Sequence, residues 1–269
     1  MTNPEKKPSI MDNKIVTRQN PVDLTGVSPG YRGKIVLESN KISENDFDEL
    51  DKNCPTKSFD FDRKNNVLSI DHGKCITCGK CNEISPMLIK IKSNFTHASK
   101  SRAGLVESFD FESTGKTYDE IGEELKEKIH KLFGRSLAIR EIDAGSCNGC
   151  EIEITALNNP IYDIERFGIH FVASPRHADL LLVTGPASRN MEIALKRTYD
   201  ATPNPKLVVA VGACACSGGI FGDTYATTGG IDRIVPVDVY IPGCPPRPQA
   251  LVYGLLLAIN KKLDGRFNS

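Results

Sequence analysis

The sequence predicts an α/β protein, with a doubly wound parallel sheet in its second half and a small α+β domain before it. Near-continuous runs of Leu, Val and Ile at residues 180–183 and 207–211 indicate strands that are covered on both faces, as in a parallel sheet. These runs alternate with helical patterns, which is the order expected for parallel strands joined by helices. Residues 34–116 instead contain short strand-like runs separated by polar turns.

Length and charge exclude several classes of function. The chain has 269 residues and carries 34 basic and 34 acidic side chains, so its formal net charge is zero. A neutral chain has no electrostatic basis for general binding of polyanions, and we expect no nucleic-acid partner. The longest apolar run, residues 250–259, is about half of the roughly 20 residues that a membrane span needs. Residues 1–33 hold no apolar segment of the kind found in a secretory leader, and a cytoplasmic location is predicted.

The organisation along the chain follows from these patterns. Residues 1–33 contain few apolar side chains and are predicted to be an extended or disordered arm. Strands are predicted at 34–38, 66–71, 87–91 and 105–109, within a small α+β domain at residues 34–116. Residues 117–136 hold a connecting helix, with a capping box formed by Thr117 and Glu120 and a stop at Gly134. An alternative is that this helix packs on one domain as part of its surface.

Residues 137–262 are predicted to form a flavodoxin-like domain, and residues 263–269 a tail. The sequence pattern places strands at 137–142, 170–173, 179–184, 206–212 and 237–241. Helices are predicted at 161–167, 191–199 and 249–261.

Nine cysteines are grouped in a way that indicates metal binding rather than disulfides. Within the flavodoxin-like domain, Cys147 and Cys150 follow one predicted strand, Cys214 follows another, and Cys244 follows a third. Sites in open α/β sheets form beyond the carboxyl ends of the strands, so these four thiols are predicted to converge. Structural zinc usually takes two paired motifs, whereas one pair with two single cysteines favours a 4Fe-4S cluster. The surplus Cys216 is interpreted as a small apolar residue near the site.

A second group of cysteines lies at residues 54–81, and its motif resembles that of bacterial ferredoxins, so the domain at residues 34–116 is predicted to be ferredoxin-like. Cys75, Cys78 and Cys81 have the C-x-x-C-x-x-C spacing that surrounds one face of a 4Fe-4S cluster. The complete motif continues with a cysteine before proline, but this chain has Ser85 and Pro86 there. The isolated Cys54, which precedes Pro55, is predicted to be the remote fourth ligand. The alternative is that Cys54 is a buried bystander.

The motifs of the second half resemble those of the small subunit of NiFe hydrogenases. The resemblance is strongest to the energy-converting, formate-hydrogenlyase type, which is related to the 20 kDa cluster-bearing subunit of complex I. It rests on the stretches at 147–154, 165–169, 174–179, 212–221 and 234–246 and covers roughly residues 137–260. The resemblance implies that Cys147, Cys150, Cys214 and Cys244 bind the proximal 4Fe-4S cluster and that Cys216 is no ligand. Complex I subunits carry adjacent cysteines where this chain has Cys147-x-x-Cys150, which favours the hydrogenase branch.

The resemblance also implies a function, with two alternatives. The chain is expected to be the electron-transfer small subunit of a cytoplasmic NiFe hydrogenase complex, with two 4Fe-4S clusters and no active site of its own. Its expected partners are a NiFe hydrogenase-type large subunit, a ferredoxin-like subunit or soluble ferredoxin, and membrane-arm subunits of a larger complex on the cytoplasmic face of the membrane. The first alternative is the cluster-bearing subunit of a nickel-free, complex I-like quinone reductase. The second is a non-catalytic redox sensor or a zinc-stabilised adaptor.

Several further residues allow alternative interpretations. Arg176 and His177 precede a predicted strand. Three roles are considered for a positive side chain there: it stabilises the charge of the proximal cluster, it contacts a partner, or it forms a surface ion pair. Glu151 beside Cys150 carries protons or anchors its loop by hydrogen bonds. His72 and His97, like the other histidines, show no ligand spacing and are expected to have solvent-exposed or core roles.

Overall fold

The structure is a computed structural model that describes residues 32–39, 41–93, 95, 97–107 and 118–267. Most of the predicted N-terminal arm, the capping residue Thr117 and the end of the tail lie outside these ranges. Within the described part of the chain, no helix is long and apolar enough to cross a membrane. We refer to residues 32–107 as the N-terminal unit and to residues 118–267 as the α/β unit.

The N-terminal unit has an α+β structure with two antiparallel sheets among its described residues. Strands β1 and β4 pair in one sheet, and strands β2, β3 and β5 form the other. Its elements are β1 (Lys34–Leu37), α1 (Glu44–Asn53), β2 (Phe59–Asp62), β3 (Val67–Asp71), α2 (Lys80–Ile84), β4 (Ile89–Lys92) and β5 (Val106–Glu107). Ile35, Leu50, Leu68 and Ile89 are almost fully buried and form the centre of one apolar cluster.

Three elements of this unit were not predicted, namely α1, β2 and α2. Helix α1 buries only Leu50, so it has no apolar stripe from which its periodicity could be recognised. Its N-terminus did carry a local signal. Ser43 accepts a hydrogen bond of 3.2 Å from the amide of Asp46, and acidic residues occupy the first turn, as expected at a helix start.

The α/β unit contains five parallel strands among its described residues, in the spatial order β7-β6-β8-β9-β10. Numbered along this unit the order is 2-1-3-4-5, which is the flavodoxin-like arrangement, and the predicted fold class is confirmed. The strands are β6 (Leu137–Asp143), β7 (Ile169–Phe171), β8 (Leu180–Thr184), β9 (Leu207–Val211) and β10 (Val239–Ile241). The helices are α3 (Tyr118–Phe133), α4 (Gly149–Ala156), α5 (Arg189–Ala201), α6 (Gly212–Ser217) and α7 (Pro248–Phe267).

Both faces of the parallel sheet are buried, because alternate side chains of a strand point to opposite faces. On β8, Leu180 and Leu182 pack in one apolar cluster with α3 and α7, while Leu181 and Val183 pack in a second cluster with Leu195 of α5. All five residues of β8 are therefore buried, which explains the continuous apolar run in the sequence.

Helix α3, which was expected to connect the domains, also belongs to the packing of the α/β unit. Ile121, Leu125, Ile129 and Leu132 form the predicted stripe, and they lie in the same cluster as the apolar face of α7. Gly122 lets the ring of Phe167 approach closely, since a Cβ atom there would lie 2.2 Å from Cζ of that ring.

Other predicted elements differ in extent. The predicted helix at 161–167 is only a 3₁₀ turn at Ile164–Phe167, and α4 and α6 were not predicted. Helix α6 is short and begins directly after β9, so its few residues offer no measurable periodicity.

The two units contact each other through backbone as well as side chains. Ser99 of the N-terminal unit pairs with Tyr240 of β10, through amide-to-carbonyl hydrogen bonds of 2.8 and 2.9 Å. This bridge covers part of the open edge of β10. Leu105 is fully buried in the second apolar cluster, among residues of β8 and β9.

Candidate metal centres

Four thiols converge at the carboxyl edge of the parallel sheet, as the sequence predicted from their positions after strands. Cys147 and Cys150 lie between β6 and the first turn of α4, Cys214 lies on α6 directly after β9, and Cys244 follows β10. The amide of Ala213 donates a hydrogen bond of 2.8 Å to the carbonyl of Gly243, which joins the segments that carry Cys214 and Cys244.

Glycines leave room around these thiols. A Cβ atom on Gly212 would lie 2.7 Å from Sγ of Cys150, and one on Gly219 would lie 3.0 Å from Sγ of Cys214. Both glycines have positive φ angles, 85° and 55°, which residues with a side chain rarely adopt. The backbone therefore approaches the thiol group at two points where only glycine fits.

The thiols of this group influence one another electrostatically. Burial raises the pKa of Cys150 and of Cys214, the latter to about 11, and charges on the neighbouring thiols raise both further. Burial and Cys147 raise the pKa of Cys244. Because four thiolates at close range repel each other, the group is stable in its ligating form only around a cation.

The N-terminal unit brings the other four predicted thiols together. Cys54, Cys75, Cys78 and Cys81 line one pocket, whose wall includes the apolar side chains of Leu50, Phe59 and Ile84. Cys54 follows α1, Cys81 lies in α2, and Cys75 and Cys78 lie on the loop before α2. The chain places Cys54 beside the three-cysteine motif although it is remote from it in sequence.

Backbone amides approach sulfur in this pocket. The amide of Ser58 donates to Sγ of Cys54 at 3.3 Å, and the amide of Thr77 donates to Sγ of Cys75 at 3.4 Å. Burial raises the pKa of Cys75 to about 12 and that of Cys81 to about 11, with further increases from the neighbouring thiols. N–H groups directed at sulfur stabilise the negative charge that a bound cluster leaves on its ligands.

Both groups fit the cofactor that the sequence implies. Iron-sulfur clusters are bound by thiolate sulfur, and each of the two groups supplies four thiols. Glycines leave space around the first group, and the second group lines a pocket with apolar side chains. Cys216 is separate from this arrangement. It is 1% exposed and packs in the second apolar cluster, beneath the parallel sheet, as expected of a small apolar residue.

The hydrogen-bonding role considered for Glu151 is wrong. Both of its carboxylate oxygens are buried and have no hydrogen-bond partner among the described residues. Burial and the charge of Glu151 together raise the pKa of the nearby Glu141. Among the described residues, the carboxyl group of Glu151 therefore does not anchor its loop through hydrogen bonds.

Stabilisation of the cluster charge by Arg176 and His177 is also excluded by the fold. They lie on a 3₁₀ turn, Pro175–His177, that precedes β8, and thus at the amino edge of the sheet. The thiols lie at the carboxyl edge, about 16 Å away along a five-residue strand.

One grouping was missed by the sequence analysis. His72, His97 and Glu107 are distant in sequence, yet their ligand atoms all lie within 4.8 Å of one another. No spacing motif connects these three residues in the sequence. The only local signal for the grouping is that each residue is a polar side chain in a segment that is buried in the fold.

The chain combines a parallel sheet with grouped thiols at its carboxyl edge, and comparison with known proteins gives the family of oxidoreductase subunits to which it belongs. Residues 147–258 match the family of the 20 kDa subunit of NADH ubiquinone oxidoreductase. The probable membrane-bound hydrogenase subunit mbhJ of Pyrococcus furiosus is 51% identical over 134 residues, which are 50% of this chain and 80% of that protein. The chain belongs to this family of complex I and hydrogenase subunits.

Relatives from both branches of the family are similar to this chain. Formate hydrogenlyase subunit 7 of Escherichia coli is 51% identical over 53% of this chain and 56% of that protein. An NADH-quinone oxidoreductase subunit of Citrifermentans bemidjiense is 56% identical over 44% of this chain and 68% of that protein. Identity alone does not separate the two branches.

Proposed function

We propose that this protein is the electron-transfer small subunit of a NiFe hydrogenase complex. Electrons would pass through two 4Fe-4S clusters, between the active site of a large subunit and a ferredoxin-like carrier. The observation that carries this proposal is that eight of the nine cysteines lie in two groups of four thiols, one in each unit.

The ligands of the two clusters are assigned from these groups. Cys147, Cys150, Cys214 and Cys244 would hold the cluster proximal to the large subunit. Cys54, Cys75, Cys78 and Cys81 would hold the second cluster, in the N-terminal unit. The protein would set the potential of each cluster through burial and through N–H groups directed at sulfur.

Two observations favour the hydrogenase branch. The spacing Cys147-x-x-Cys150 differs from the adjacent cysteines of complex I subunits, and the match to the hydrogenase relatives extends over more of this chain than the match to the quinone-oxidoreductase relative. The relative from Pyrococcus furiosus is described as membrane-bound. By analogy, we place this chain as a peripheral subunit on the cytoplasmic face of a membrane complex, with a large subunit and membrane-arm subunits as partners.

Metal content tests the ligand assignment. The anaerobically purified chain is expected to contain about eight irons, and Cys244→Ser is expected to lose about half of them. Retention of all iron in Cys244→Ser would refute the assignment. Purification of the intact complex, followed by identification of the large subunit and measurement of nickel, tests the proposed function itself.

A nickel-free quinone reductase of the complex I type is the second candidate. The 56% identity to an NADH-quinone oxidoreductase subunit supports it. Both candidates require the same clusters in this chain, so iron content does not distinguish them. A complex without nickel that reduces quinone would favour the second.

A further inference from the structure

The side chains of His72, His97 and Glu107 meet in the interior of the N-terminal unit, close to its contact with the α/β unit. His72 directly follows β3, and Glu107 ends β5, which pairs with β3. His97 lies on the segment that continues to Ser99, whose backbone pairs with β10. His72 is 3% exposed and Glu107 is 9% exposed, while the side chain of His97 is half-buried at 14% exposure.

Their separations are those of ligands around one metal ion. Nε2 of His72 lies 3.2 Å from Oε2 of Glu107, and Nε2 of His97 lies 3.8 Å from Oε1 of the same carboxylate. Two ligand atoms that each lie about 2.0–2.1 Å from a tetrahedral zinc ion are about 3.3–3.4 Å apart. Both distances to Glu107 lie within about half an ångström of that value, and the ligand nitrogens of the two histidines lie within 4.8 Å of each other.

Both imidazoles lack the partners that buried polar atoms normally have. Nε2 of His72 and Nε2 of His97 are buried, and neither has a hydrogen-bond partner among the described residues. Nε2 of His72 approaches Oε2 of Glu107 at 3.2 Å but is poorly aligned for a hydrogen bond, and the nearby carboxylate partly opposes the effect of burial on the pKa of His72. Burial lowers the pKa of both side chains, which keeps them in the neutral form that ligates metals.

An ion pair with Lys34 is another explanation for the burial of the Glu107 carboxylate. Its Nζ lies 2.6 Å from Oε2 of Glu107, and both side chains are buried, so the ion pair neutralises Glu107 without a metal. That pair accounts for Glu107 but leaves both imidazole nitrogens unpartnered. A metal ion accounts for all three groups, and it would compete with the Lys34 ammonium for the carboxylate.

We propose that His72, His97 and Glu107 bind a divalent transition-metal ion, for which zinc is the best match. Two imidazoles and one carboxylate form a three-ligand zinc set, which leaves a fourth position for water. Both histidines line a pocket that also contacts Pro246 and Arg247 of the α/β unit. The ion would tie the β3–β5 sheet to the segment that pairs with β10, and so stabilise the contact between the two units.

The test uses the full chain, purified anaerobically with its iron retained, exposed to ZnCl₂ and freed of loosely bound metal. Zinc and iron are then measured per chain, and the zinc environment is determined by X-ray absorption at the zinc edge. We expect one zinc per chain with nitrogen and oxygen neighbours at about 2.0–2.1 Å. His97→Gln should lose the zinc and keep the iron, while His130→Gln, which replaces an exposed histidine, should keep both.

Lys34→Gln separates the metal site from a purely structural ion pair. This change retains the three ligands and removes the ammonium that pairs with Glu107, so it should lower the Kd for zinc. Unchanged or weaker zinc binding in Lys34→Gln would contradict the proposed competition.

Three results would overturn the site. The first is a wild-type chain that binds no zinc. The second is zinc with sulfur neighbours near 2.3 Å, because that distance indicates that the zinc occupies cysteine thiols. The third is an unchanged zinc content in His97→Gln. If His97→Gln loses iron as well because it does not fold, the absorption spectrum of the wild-type chain decides between nitrogen and sulfur ligands.

Discussion

The hydroxyl of Ser217 lies 2.7 Å from the carbonyl oxygen of Gly73 and 3.1 Å from that of Ala213 in its own helix, and it donates to the nearer acceptor, Gly73. Ser217 is the last residue of α6, which carries Cys214, and Gly73 lies on the loop that leads to Cys75. The bond therefore joins the segments that carry the two thiol groups. The relative position of the two candidate metal centres depends in part on this contact.

Removal of this hydroxyl should weaken the contact between the units. Ser217→Ala is expected to cost about 1 kcal/mol, which corresponds to a fall of about 2–4 °C in Tm for a chain of this size. Thr198→Val is the matched control, because Thr198 donates to the carbonyl of Ala194 within its own helix. Thermal unfolding under anaerobic conditions measures both, and an equal Tm for Ser217→Ala and wild type would contradict the prediction.

The glycine at position 212 should be required for the proximal cluster. In Gly212→Ala the new Cβ would lie 2.7 Å from Sγ of Cys150, so we expect loss of about half of the iron. Gly134→Ala is the control, since Gly134 also has a positive φ but nothing within 4 Å of a Cβ. It should cost about 1–2 kcal/mol of stability and keep all iron. Equal iron in the two variants would argue against a close approach of backbone and thiol.

Cys54 and Cys216 should differ in their effect on iron content. Cys54→Ser is expected to lose the iron of the N-terminal unit, about half of the total, because Cys54 lines the pocket of Cys75, Cys78 and Cys81. Cys216→Ala should retain the full iron content, since Cys216 packs in an apolar cluster. Iron measurement on both purified variants tests the pair. Full iron in Cys54→Ser would leave that cluster without its assigned fourth ligand.

Stability should fall at acidic pH in part because of His97. In the unfolded chain His97 takes up a proton near its ordinary pKa of 6.5, whereas burial keeps it neutral in the folded chain to well below that pH. Unfolding therefore takes up a proton below about pH 6.5, and the free energy of unfolding decreases by up to about 1.4 kcal/mol per pH unit.

Comparison with His97→Gln isolates this effect. In zinc-free buffer, the Tm of the wild-type chain should fall more steeply between pH 6.5 and 5 than that of His97→Gln. The exposed His130 provides the control variant His130→Gln, which should follow the wild type. Parallel Tm curves for wild type and His97→Gln would show that His97 is protonated in the folded chain.

Much of the candidate sites could be predicted from local sequence, and the errors have identifiable causes. The C-x-x-C-x-x-C spacing and the positions of cysteines after apolar strands depend on neighbouring residues only, and these thiols do lie together. The charge-stabilising role considered for Arg176 failed because a loop before a strand and a loop after it lie at opposite edges of a parallel sheet. The hydrogen-bonding role considered for Glu151 failed because its position beside Cys150 in the sequence does not reveal that its carboxylate oxygens are buried without a hydrogen-bond partner among the described residues.

The sequence by itself indicated the fold class through its apolar periodicity, the eight grouped cysteines through their spacing and their positions after strands, and the family through the resemblance of its motifs. These features belong to short segments of the chain. Only the tertiary structure decided that His72, His97 and Glu107 meet and that Ser217 reaches Gly73. These contacts follow from the pairing of β3 with β5 and from the packing of one unit on the other. Such long-range contacts result from the burial of the whole chain, and no short segment of the sequence encodes them.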